Sequence, residues 1–163
     1  MTQAICKEYF KKCRSDHFAL CAVEPQKDWI GIEPERLNHG LYHYIVFGKI
    51  KMGIPFKEGY NIVESKKFFS TKEYLHESLI LEALEDSYMV GFNTLDKDQD
   101  WDGRLVTEEK LRVEKESYLI CFDGLPVVEK QELTRFDYGI VYPDKEYEID
   151  VSEGVLGLFT RNT

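Results

Sequence analysis

The sequence predicts an all-β protein, a roll or double β-sandwich of short strands preceded by a short amino-terminal helix. Three observations carry this. Apolar runs rich in β-branched and aromatic residues recur along most of the chain. Turn signals separate them at intervals of roughly 8 to 12 residues, the rhythm of sandwiches, barrels and rolls. The second half of the chain also repeats the pattern of the first.

Thr2 to Lys12 fits an amphipathic helix with Ile5, Tyr9 and Cys13 on one face. Strand signals follow. Phe18 to Val23 is a continuous apolar run stopped by Glu24 and Pro25, and Trp29 to Ile32 is a shorter one stopped by Glu33 and Pro34. Leu41 to Met52 is the strongest strand or hairpin of the first half, dense in Tyr, Ile, Val and Phe, with Gly48 where a tight bend fits. Leu79 to Phe92 reads as helix at its start and strand at its end, and its length does not decide between them. Tyr118 to Phe122, Gly139 to Tyr142 and Val155 to Phe159 are strands punctuated by Asp123-Gly124, Pro143-Asp144 and Glu153-Gly154.

Tyr42 to Gly48 runs parallel to Tyr118 to Gly124 at an offset of 76 residues. A four-residue adjustment then lays Phe69-Ser70-Thr71 on Val141-Tyr142-Pro143, and Tyr88 to Phe92 lies on Val155 to Phe159 as the closing strand of each copy. The expected organisation is a helix and first β unit over residues 1–93, an acidic connector over 94–104 and a second β unit over 105–163, within one globule.

A chain of 163 residues with 43% hydrophobic and 13% aromatic residues can bury a core. Its 21 basic and 30 acidic residues give a net charge of −9, which repels phosphate backbones and anionic lipid. Nucleic-acid and membrane partners are excluded on that ground. Lys11, Lys12 and Arg14 are a solvated basic cluster. No segment reads as a secretory leader or a span, so a cytoplasmic protein, or one in a particle assembled inside the cell, is expected. Cys6, Cys13, Cys21 and Cys121 form no C-x-x-C pair, and Cys21 and Cys121 sit in apolar runs as small hydrophobes.

The repeats resemble the cupin superfamily. Tyr44-Ile45-Val46-Phe47-Gly48 and Leu119-Ile120-Cys121-Phe122-Asp123-Gly124 match the strand that ends in glycine. Pro143-Asp144-Lys145-Glu146-Tyr147-Glu148 matches the later P-x-G-x-x-H turn with Glu148 in place of His, and Thr71 to His76 keeps only the His. The resemblance implies a cupin-like roll, degenerate because neither half carries the H-x-H pair and Glu of the usual metal site. His39, His43 and His76 are the imidazoles left to form one, and no histidine follows His76.

Asp98, Asp100, Asp102, Gly103, Leu105 and Glu109 fit a twelve-position calcium loop, with Asp98, Asp100, Asp102 and Glu109 as oxygen ligands. Lys97 before it and the alternating Leu111-Arg112-Val113 after it do not supply the flanking helices, so at most weak Ca2+ binding is expected and no other cofactor. The leading functional expectation is a non-catalytic binding or assembly protein, oligomeric or part of a larger complex such as a virus particle, with a protein partner or a second copy covering edge strands. The alternative is a small isomerase, epimerase or lyase on a sugar-like ligand, using His39, His43 or His76 with Tyr42 and Tyr44.

Overall fold

The computed structural model describes residues 11–12, 18–23, 29–32, 40–53, 59, 61–71, 79–94 and 100–162. Every regular element among them is a β-strand. No helix among the described residues is long and apolar enough to cross a membrane. The chain divides into two compact units, one formed by Ser15–Lys97 and the other by Asp98–Thr163 with Met1–Arg14.

The expected amino-terminal helix lies outside the described residues except for its last two. Those form β1 (Lys11–Lys12), a strand of the second unit paired with residues 137 and 138. The first unit contains β2 (Phe18–Val23), β3 (Trp29–Ile32), β4 (Gly40–Phe47), β5 (Lys49–Gly53), β6 (Asn61–Glu64), β7 (Phe68–Ser70), β8 (Leu79–Ala83) and β9 (Tyr88–Thr94). They form two antiparallel sheets, in the orders β2-β9-β4-β7 and β3-β8-β5-β6. The ambiguous run from Leu79 to Phe92 is thus two strands, divided by the bends at Leu84 to Asp86. Strand pairing on β4 and β5 outweighs the helical spacing of its leucines.

The second unit contains β10 (Asp100–Leu105), β11 (Lys110–Leu111), β12 (Ser117–Gly124), β13 (Val127–Val128), β14 (Gln131–Glu132), β15 (Asp137–Val141), β16 (Tyr147–Asp150) and β17 (Gly154–Asn162). Its sheets run β1-β15-β12-β17-β10 and β11-β16-β13-β14. Raising every strand number of the first unit by eight reproduces both orders, apart from β1 at the outer edge. The repeat in the sequence is therefore a repeat of topology.

Strand registers refine that alignment. Tyr42 pairs with Phe92 and Tyr118 with Phe159, so the closing strands superpose as the sequence suggests. The middle segment does not. Tyr42 faces Ser70 while Tyr118 faces Ile140, which sets Phe68 against Tyr138 and replaces the four-residue adjustment by a six-residue one. The hairpin β13–β14 accounts for the shift: its loop is only Glu129 and Lys130, whereas a longer connection joins β5 to β6.

Gly48, directly after β4, and Gly124, the last residue of the equivalent β12, have φ of +99° and +69°. A Cβ at Gly48 would lie 2.0 Å from Ser87 Oγ, and one at Gly124 would lie 2.3 Å from the Glu153 carbonyl. Both the sign of φ and the close approach demand glycine.

In the second unit, Leu119, Cys121, Leu156, Leu158 and Val141 from one sheet form one buried cluster with Leu111, Val128, Tyr147 and Ile149 from the other. The two sheets therefore pack face to face. Each aliphatic side chain fully buried there contributes roughly 1.5–3 kcal/mol. The opposite face of the larger sheet is aromatic, with Trp101 5.9 Å from Tyr118 and Tyr118 6.5 Å from Tyr138. Strand registers place Phe18, Tyr42, Phe68 and Phe92 of the first unit at the positions of Trp101, Tyr118, Tyr138 and Phe159. All four aromatic positions are kept.

Candidate functional site

In the first unit, His43 stands where the second unit has Leu119, directed into the space between the sheets. It is 7% exposed, and burial pulls its pKa down to about 4, so the ring is neutral at ordinary pH. Its Nε2 lies 3.4 Å from Thr71 Oγ1, its ring stacks on Phe69 at 5.3 Å, and its Nδ1 has no hydrogen-bond partner.

Tyr42 and Tyr44 flank His43 on β4 and therefore point to the opposite face. There Tyr42 stacks on Phe68 at 5.5 Å. Both tyrosines are buried, but not beside His43, so the expected grouping of the three side chains inside the roll does not form. His39 and His76 lie outside the described residues. Among the described residues, no group of three or more His, Cys, Asp or Glu is placed to hold a metal ion.

The expected acidic loop is a strand. Asp100 to Leu105 pairs residue by residue with β17, from Asp100 against Asn162 to Leu105 against Gly157. Gly103, which the calcium loop needs at a sharp turn, lies opposite Phe159 in that ladder. Asp100 and Asp102 project to one side, where Asn162 Nδ2 donates to both at 3.3 and 3.0 Å. Asp98 lies outside the described residues. Glu109 is exposed just before β11, its carbonyl accepting from Ile149 N at 2.8 Å.

The pairs Asp102–Thr160, Arg104–Leu158, Ser117–Thr160 and Leu119–Leu158 put these residues on the inner face of the large sheet. Deeper in, that face is apolar. Toward the ends of β12 and β17 it turns polar and opens into a cleft of about 430 Å³, lined by Asp102, Arg104, Ser117, Leu158, Thr160 and Asn162 together with the segment from Arg112 to Lys115. A volume of that order falls within the roughly 300–1,000 Å³ of small-ligand sites.

Arg104 forms a two-pronged bond with Glu108, at 2.8 and 2.9 Å. That bond holds the Glu108 carboxyl down at about 2 and raises the Arg104 guanidinium, so both stay charged. Arg112 meets Glu146 only at 3.9 Å. On the floor, Ser117 Oγ donates to the Lys115 carbonyl at 2.9 Å and lies 2.8 Å from Thr160 Oγ1. Cys121 lies deeper, its thiol pushed up to about 12 chiefly by burial, which leaves no thiolate near neutrality. Sequence reasoning missed this cleft because its residues come from three separated segments and share no motif.

No protein-family pattern matches the chain, and no curated protein matches it. Solved structures do. The chain is similar to HutD from Pseudomonas fluorescens SBW25, with a TM-score of 0.62 at 10% identity over 90% of this chain and 80% of that one. It is also similar to a cupin 2 conserved barrel domain protein from Leptotrichia buccalis, with a TM-score of 0.52 at 8% identity over 92% of this chain and 86% of that one. Identities this low speak to fold alone. The architecture expected from the repeats is the one observed, and the chain has the fold of the cupin barrels.

Proposed function

We propose that the protein is a non-catalytic binding module whose ligand occupies the cleft of the second unit. The observation that carries this reading is the change of character along one face. The inner face of β10, β12 and β17 is apolar at the Leu119–Leu158 pair and polar beyond it, where Ser117, Thr160 and Asp102, with Arg104 beside Leu158, surround an open volume. A polar ligand there would meet complementary donors and acceptors above an apolar floor.

Its chemistry favours holding over converting. General acid or base catalysis near neutral pH needs a group poised to exchange a proton there. Glu108 stays ionised and Arg104 stays charged. The Ser117 hydroxyl spends its proton on a backbone carbonyl rather than on a base, so it is not activated as a nucleophile.

The test is a thermal-shift screen of small polar compounds, followed by analysis of any protecting compound after prolonged incubation with the protein. The compound should be recovered unchanged, and protection should vanish in a Thr160→Trp variant that fills the cleft. A converted product overturns the non-catalytic reading, and undiminished protection of the filled variant overturns the site.

A further inference from the structure

We infer that His43 makes the first unit an acid-sensitive switch: taking up a proton there loosens that unit while the second unit keeps its fold.

The surroundings of the ring supply nothing to balance a charge. The cross-strand row through His43 runs Cys21, Gly91, His43, Phe69. Cys21 is the other ionisable residue in it, and a thiol is uncharged throughout the acid range. The adjacent positions on the same face are Ala19, Val23, Ile45, Thr71, Met89 and Asn93, none of them ionisable. Lys67, just before β7, is exposed and cationic, so it opposes an imidazolium. In the facing sheet, Lys49 and Lys51 alternate along β5 with the buried Ile50 and Met52 and so point outward. There Lys49 meets Glu64 at 3.6 Å, and Lys51 lies opposite the exposed Glu82 in the ladder. Among the described residues, no carboxylate faces the imidazole.

A proton would make both ring nitrogens donors. Thr71 Oγ1, 3.4 Å from Nε2, can accept from one of them, but Nδ1 has no partner. The product is a buried, unpaired charge with an unmatched donor, which an opened unit hydrates and a closed one does not.

The second unit lacks the device. His17, His39, His43 and His76, all four histidines of the chain, lie within Ser15–Lys97, and Leu119 stands in the second unit at the place of His43. The Arg104–Glu108 pair there survives acid, since Glu108 is held at about 2. Burial holds His43 at about 4 against an ordinary 6.5, so its contribution to stability is complete above the ordinary value and is lost as the pH falls toward the folded one. That loss falls on the first unit.

Amide hydrogen exchange of the full chain, read on peptides from each unit and expressed as protection factors at each pH, tests this. From about pH 7 to about pH 4.5, protection of the slowest amides of β4, β5 and β9 should fall roughly fiftyfold more than that of β12, β16 and β17. His43→Leu, which copies the second unit, and His43→Gln, which keeps a polar side chain that does not titrate, should each abolish the difference. Each comparison is between two pH values within one protein, so a change in baseline stability does not confuse it, and either variant suffices if the other fails to fold. An equal fall in both units of the unaltered chain, or a difference that persists without the imidazole, overturns the inference.

Discussion

His43 and Leu119 occupy the same place in two copies of one strand and show what a single side chain changes. The imidazole has a pKa of about 4 in the fold against 6.5 as its ordinary value. Between those values the unfolded chain binds a proton that the folded chain refuses, so stability falls as the pH falls. The loss approaches a magnitude on the order of 3 kcal/mol below the folded value. His43→Leu copies the other unit and removes that dependence. Denaturant unfolding of both proteins at about pH 7 and about pH 4.5 should show the variant's advantage growing with acid. An advantage that does not change with pH would mean that the ring is not held neutral. At this scale the sequence was only half legible: His43 stood out as a candidate, but its separation from Tyr42 and Tyr44 follows from strand alternation once β4 is paired. Thr160 and Ser117 gave no signal, since their roles come from a cross-strand contact 43 residues apart.

Bends and ladders decide the elements. Gly48 and Gly124 were legible as repeat landmarks, and the structure adds their cause, a positive φ with backbone or side chain packed where a Cβ would stand. Replacing either by Ala should cost more than about 1 kcal/mol, measured by urea unfolding, because strain and steric conflict add. A neutral result at both positions would remove the claim that the two bends are equivalent constraints. The Asp-rich segment shows where local letters mislead. Asp100, Asp102 and Gly103 match a loop motif, but six consecutive pairings with β17 hold the backbone extended. Non-local pairing of that kind leaves no trace within the segment itself. The six-residue adjustment between the middle strands was hidden likewise, since it resides in the length of a hairpin connection.

Across the whole molecule, the same two-sheet topology appears twice, with aromatic positions conserved between copies and inner faces that have diverged. One copy encloses a neutral histidine; the other opens into a polar cleft lined by charges of both signs. Fold class and repeat were legible because strand rhythm and aromatic placement are written along the chain. The site was not, because three short segments converge only after the sheets form. The most direct measurement is the mapping of amide chemical shifts in the isotopically labelled full chain as a compound that protects the protein in the thermal-shift screen is added. The expected result is a saturable set of shifts centred on Ser117, Leu158, Thr160 and the residues from Arg112 to Lys115. Shifts centred instead on His43, Phe69 and Thr71, or no saturable shifts, would contradict the assignment of binding to the second unit.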